Sequence, residues 1–142
     1  MIEVSPASAP AEIEAALELR YRVFCEEQGV TLAGDQDGRD PEALHIVAFD
    51  DGRLAGTCRL LFDDGIARLG RMAVEPDLRG RGIGAALLAE AERESRRAGA
   101  QRIRLHAQTA ARTLYERAGF EVRGEEFLEE GIAHVTMEKT LA

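Results

Sequence analysis

The residues best suited to chemistry form one run, Met72-Ala73-Val74-Glu75-Pro76-Asp77-Leu78-Arg79-Gly80-Arg81-Gly82-Ile83-Gly84-Ala85. Three alternate glycines stand between the end of an apolar strand pattern and the start of an apolar helical stripe. Backbone N–H groups can crowd inward in such a loop, and a helix N-terminus adds roughly half a positive charge. That arrangement cradles a pyrophosphate. Arg79 and Arg81 contribute fork-shaped donors suited to phosphate oxygens. Arg68, Arg71, Arg79 and Arg81 outnumber Glu75 and Asp77 in this stretch, although the whole chain carries a net charge of −8. A basic notch in an acidic protein points to one small anionic ligand. A plain tight turn would use the same glycines. Gly80-Arg81-Gly82-Ile83-Gly84-Ala85 also fits the dinucleotide fingerprint, but the ribose-binding acid expected about twenty residues on has no counterpart among His106–Thr109.

The elements that must position this loop follow from periodicity and turn signals. A short strand around Ile2–Val4 leads into a helix with Pro10 in its first turn and an apolar stripe of Ile13, Ala16, Leu17, Tyr21 and Phe24, closed by Gly29. Thr31–Pro41, rich in Gly and Asp, reads as an exposed loop. Asp51-Gly52 and Asp64-Gly65 each separate apolar runs and predict two hairpins, Leu44–Phe49 into Arg53–Phe62 and on into Ile66–Val74. A helix is predicted from Gly82 or Ile83 to Gly99, with Ile83, Ala86, Leu87 and Ala91 inside and Glu90, Arg93, Glu94 and Arg97 outside. Ile103, Leu105 and Ala107 mark a strand, Thr109–Ala118 a helix capped by Thr109, and Phe120–Leu128 with Ile132–Thr140 a final hairpin. The order β-α-β-β-β-α-β-α-β-β predicts a single α/β (α+β) domain over residues 1–142: a mixed sheet with helices on its faces.

Composition narrows the function. With 142 residues, 45% hydrophobic and 31% charged, the chain suits one globular domain. No apolar run approaches the ~20 residues of a membrane span and the N-terminus does not resemble a signal peptide, so a soluble, cytoplasmic protein is expected. The acidic balance argues against nucleic acid and anionic membranes as partners. Cys25 and Cys58 form neither a disulfide framework nor a metal-ligand pattern, so no metal is expected. Seventeen of the eighteen Lys and Arg residues are arginine, and the single lysine, Lys139, lies outside any Schiff-base or phosphate-loop motif.

Arg79-x-x-Gly82-x-Gly84 after a strand ending in Ala73-Val74 resembles the coenzyme-binding signature of the GNAT acetyltransferase superfamily. Leu114-Tyr115-Glu116-Arg117-Ala118-Gly119-Phe120 is similar to that superfamily's second landmark. Arg22-Val23-Phe24-Cys25-Glu26-Glu27-Gln28, His106-Ala107-Gln108 and Glu129-Glu130-Gly131-Ile132-Ala133-His134-Val135 resemble its ElaA-like subgroup, so the likeness spans essentially the whole chain. It implies a GNAT-like mixed, mostly antiparallel central sheet of about seven strands flanked by helices. It further implies direct acyl transfer from acetyl-CoA to an amine, without metal or covalent enzyme intermediate, and a homodimer paired through the final strands.

Carried over residue by residue, the resemblance gives Met72, Ala73 and Val74 backbone pairing with the pantetheine arm, and one of their N–H groups a role at the developing oxyanion. The N–H groups of Arg79, Gly80, Arg81, Gly82, Ile83, Gly84 and Ala85 would hold the pyrophosphate. Tyr115 would protonate the departing thiolate, if close and desolvated. Gln108 stands where many members carry asparagine, and would contact the coenzyme. An amine acceptor must also lose a proton, and Glu26, Glu27, His106, His134 and His45 are the candidate bases, with Glu27 and His106 foremost. Electrostatic steering by the acidic surface favours a cationic amine. A non-catalytic acyl-CoA-binding module is the alternative of a different class. Arg22-Val23-Phe24 also resembles acyl-homoserine-lactone synthases, but the chain is short for them and has no tryptophan.

Overall fold

The computed structural model describes residues 1–141. Its elements are β1 (Ile2–Pro6), α1 (Pro10–Arg20), α2 (Leu32–Asp35), β2 (Leu44–Asp50), β3 (Arg53–Asp63), β4 (Ile66–Val74), α3 (Ile83–Arg97), β5 (Arg102–Gln108), α4 (Arg112–Arg117), β6 (Glu121–Glu129) and β7 (Ile132–Thr140). One seven-stranded sheet runs in the order β1-β2-β3-β4-β5-β7-β6. Every pairing is antiparallel except β4 with β5. The mixed, mostly antiparallel sheet flanked by helices expected from the sequence is therefore present.

Each hairpin turn uses the residues predicted for it. Asp51 and Gly52 have φ of 50° and 84°, and Asp64 and Gly65 have 51° and 77°. Both central residues are left-handed, as a turn matching the strands' right-handed twist requires. Glu130 and Gly131 repeat the pattern at 52° and 74°.

The core lies between the sheet and α3. Ile83, Leu87, Leu88 and Ala91 on α3 are buried against Ile46, Cys58, Leu60, Ala67, Leu69, Ile103 and Leu105. Each large side chain moved from water into this layer contributes about 1.5–3 kcal/mol. Gly56 sets how closely α3 approaches: a Cβ there would stand 3.0 Å from both Ile83 and Leu87. This packing fixes the start of α3 beside the end of β4.

Four local expectations are corrected. The first helix does not run regularly to Gly29: α1 widens after Arg20 into π-helical turns over Tyr21–Glu27. Thr31–Pro41 is not simply an exposed loop, since it contains α2, whose Asp35 is buried because Arg20 donates to its carboxylate and carbonyl. Glu90 and Glu94 are buried rather than outside, covered by Arg93 and Arg97 from the next turn of the helix. Thr109 caps no helix; it opens a short 3-10 turn before α4, and its buried hydroxyl has no hydrogen-bond partner.

Candidate functional site

The site begins where two strands part. The parallel pairing of β4 with β5 runs only from Ile66–Arg102 to Leu69–Leu105. Beyond it β5 stays with β7, pairing Gln108 with His134, while β4 stays with β3, pairing Ala73 with Thr57. The β4 edge from Gly70 to Val74 thus has no strand on its β5 side. A cavity of about 640 Å³ opens in this splay, lined by Met72, Ala73, Val74, His106, Gln108 and Tyr115 among others.

A bulge helps to divert β4. Arg59 pairs with Gly70 and Thr57 with Ala73, so β4 carries one residue more than β3 across that interval. Arg71 lies inside it at φ 54°. Left-handed backbone costs a residue with a Cβ about 1–2 kcal/mol. The guanidinium offsets this by donating to the carbonyls of Asp35 at 3.0 Å and Gly34 at 3.2 Å, binding the bulge to α2. Burial, reinforced by Arg59, lowers the Arg71 pKa from its ordinary value, against the opposing pull of Asp37.

The glycine loop lies at the end of this free edge. Gly80 and Gly82 have φ of 80° and 82°, and a Cβ on either would meet nothing within 4 Å. Glycine is needed for the backbone conformation, and the space beside both residues is open. The first helical bond at this end runs from Ala86 N–H to the Gly82 carbonyl at 3.0 Å. Among the described residues, no protein group accepts from the N–H groups of Gly80, Arg81, Gly82, Ile83, Gly84 or Ala85. Six consecutive donors at the positive end of a fifteen-residue helix suit a pyrophosphate.

The flanking arginines are less free than their count suggested. Arg79 donates bidentately to Glu27 at 2.7 and 2.8 Å and to the Val74 carbonyl at 3.2 Å. Its hydrogen bonds hold the Glu27 carboxyl below the usual carboxylate range. Arg68 pairs with Asp63 through Nε, and Arg71 is occupied by α2. Arg81 alone of the four makes no ion pair among the described residues.

Tyr115 stands on α4 at the cavity wall, 7% exposed, its ring edge-on to Phe120 at 6.1 Å. Burial pushes its phenol well above the ordinary range. No protein group hydrogen bonds its hydroxyl among the described residues, which leaves that proton available to a ligand. Gln108 at the end of β5 donates to the Gln28 side chain at 2.8 Å, so the Glu27–Arg79 and Gln28–Gln108 pairs tie the C-terminal end of the π-helical segment to the loop after β4 and to the end of β5.

Opposite lies a second cluster. His106 Nδ1 is 2.9 Å from Glu129 Oε1, and His134 Nε2 is 3.7 Å from Glu129 Oε2. The Phe127 ring contacts both imidazoles. His45 instead bonds the Asp40 carbonyl and belongs to the framework, and Glu26 is not among the residues that line the cavity. Among the described residues no three His, Cys, Asp or Glu side chains are grouped to hold a metal ion. Sequence reading missed the network beneath α2, where Arg20, Arg59 and Arg71 meet Asp35, Asp37 and Asp40. Its signal was three aspartates in six residues facing arginines at otherwise inward strand and helix positions.

Residues 11–141 match the family model described as acetyltransferase (GNAT) domain. YjcF of Bacillus subtilis, described as an uncharacterized N-acetyltransferase, is 33% identical over 129 residues, covering 90% of this chain and 92% of its own. The fold matches Escherichia coli ElaA with a TM-score of 0.86 at 27% identity, covering 98% of this chain and 99% of that one. It matches an acyl-CoA N-acyltransferase from Pseudomonas aeruginosa with a TM-score of 0.85 at 28% identity, covering 99% and 100%.

Proposed function

The chain belongs to the GNAT acetyltransferase family, and from that premise we propose that it moves an acetyl group from acetyl-CoA to a primary amine of a small molecule or peptide by direct attack within the β4–β5 splay. One observation carries this reading above the others: six unpartnered N–H donors, Gly80 to Ala85, stand at the end of an unpaired strand edge that borders a cavity. Bound there, acetyl-CoA would supply an activated acyl group and a thiolate leaving group. The donors and Arg81 would hold the pyrophosphate, and the β4 edge at Met72, Ala73 and Val74 would pair with the pantetheine arm as an added strand. Arg79 and Gln108 would line the coenzyme's path once they exchange their present partners, Glu27 and Gln28, for it.

Tyr115 serves as general acid. Its raised pKa keeps it protonated across the neutral range, and its hydroxyl is free to donate. For the acceptor's proton, His106 is better suited than Glu27. His106 lines the cavity, whereas Glu27 is not among its lining residues, and Glu129 can hold the His106 Nδ1 proton and leave Nε2 as an acceptor. Glu129 and Glu130 beside the cavity favour a cationic amine at that end.

Titration calorimetry with acetyl-CoA, followed by thiol release on adding amines, tests this. Saturable binding with amine-dependent release is expected. Binding without release from polyamines, aminoglycosides, amino acids and peptides would favour a sensing module, and absence of binding would refute the coenzyme site.

A further inference from the structure

The cavity carries a feature that the coenzyme contacts proposed above leave free. Arg68 on β4 and Arg104 on β5 are register partners. Both alternate with core residues, Ala67 and Leu69 on one strand and Ile103 and Leu105 on the other, so both stand on the same sheet face, and both line the cavity. Adjacent strands lie about 4.8 Å apart, and like charges side by side are unfavourable. The ion pair of each arginine runs through Nε: Arg68 with Asp63 at 3.2 Å and Arg104 with Glu138 at 2.5 Å.

Those carboxylates are shared. Asp63 also accepts two bonds from Arg39, at 3.0 and 3.1 Å, and the second oxygen of Glu138 lies 3.8 Å from Arg123. Among the described residues the Nη groups of Arg68 and Arg104 therefore donate to no protein group. Both guanidinium groups belong to cavity-lining residues and keep Nη donors without a protein acceptor, their side chains 44% and 29% exposed. The pyrophosphate loop is not their partner. Val74 lies six positions beyond Arg68 along β4, about 20 Å of strand, and the loop lies beyond.

We infer that the acceptor is a primary amine that also bears an anionic group, carboxylate or phosphate, held between Arg68 and Arg104. Such a group satisfies both forks and removes the like-charge repulsion between them. The acceptor's cationic amine then lies toward Glu129, Glu130 and His106 at the splay. Arg104 and His106 are two residues apart, about 7 Å along β5, so several bonds separate amine from anion, as in an ω-amino acid and unlike an α-amino acid. This rests on the acetyl-transfer reading and specifies its substrate class.

The test compares three acceptors of matched length, 6-aminohexanoate, 6-aminohexyl phosphate and the neutral 6-aminohexanamide, by thiol release at saturating acetyl-CoA. At least one anionic acceptor is expected to exceed the amide about tenfold in kcat/KM, chiefly through KM, and the stronger of the two identifies the anion. Arg68→Gln and Arg104→Gln should each bring that preference toward unity. Because the readout is a ratio of acceptors on one protein sample, partial misfolding of a variant cancels. Release from all three at equal rates, or a preference that survives both substitutions, overturns the anion site while leaving acetyl transfer intact. Failure to bind acetyl-CoA by calorimetry overturns both.

Discussion

Replacing Tyr115 by phenylalanine isolates one hydroxyl. The ring stays available for its edge contact with Phe120, and the lost group bonds nothing in the protein among the described residues. Folding stability should therefore change by less than about 0.5 kcal/mol, since no intramolecular hydrogen bond is broken. A positioned general acid contributes at least about 100-fold, so kcat should fall by that factor, equivalent to about 2.7 kcal/mol of transition-state stabilisation. Coenzyme affinity should stay within about threefold, because the pyrophosphate donors and the β4 edge are untouched. The assay is thiol release with both substrates saturating, beside calorimetric binding of acetyl-CoA and a thermal melt. The raised pKa adds a second check: the wild-type phenol remains protonated through the neutral range, so Tyr115 ionisation should not limit kcat between pH 7 and 9. A variant with kcat within threefold of wild type would refute the general-acid role. A parallel loss of affinity and thermal stability would show that the hydroxyl supports packing.

Gly82→Ala places a Cβ in open space at φ 82°, so the cost is backbone strain alone, about 1–2 kcal/mol, with a melting temperature several degrees lower and acetyl-CoA affinity reduced at least tenfold. Leu87→Ala empties a fully buried position beside Gly56 and should cost about 2–5 kcal/mol in denaturant unfolding. Arg59 depresses the Asp37 pKa in the folded state; that contribution is fully present above the unfolded carboxylate pKa and is lost as pH falls, so Asp37→Asn should flatten the decline in urea midpoint below about pH 4, partially because Asp37 is 34% exposed. His106→Gln should lower kcat/KM at least about 100-fold at a fixed neutral pH while acetyl-CoA affinity by calorimetry stays within about threefold; an undiminished kcat/KM would assign the base elsewhere.

The parts of the site legible in the sequence are those set by local chemistry. Gly80 and Gly82 announce left-handed backbone, the Asp-Gly pairs announce their hairpins, and the stripe Ile83, Leu87, Ala91 announces the buried face of α3. What escaped depends on residues distant in sequence. Arg71 carries no mark of its bulge, because its left-handed conformation is maintained by the carbonyls of Gly34 and Asp35. The segment around Asp35 looks solvated until Arg20, Arg59 and Arg71 from three other elements neutralise it. The charge balance of the notch misled for the same reason: composition counts arginines, whereas Arg68, Arg71 and Arg79 each answer to a different carboxylate or carbonyl. Glu90 and Glu94 read as outward until burial beside one another, which raises the Glu94 pKa, is seen in three dimensions.

The most direct test of the central claim is a crystal structure of the protein with acetyl-CoA. The pyrophosphate should accept from the N–H groups between Gly80 and Ala85, the pantetheine arm should pair with Met72–Val74, and the thioester sulfur should lie within hydrogen-bond reach of the Tyr115 hydroxyl. Coenzyme bound outside the splay between β4 and β5, or seated there with Tyr115 turned away from the sulfur, would contradict it.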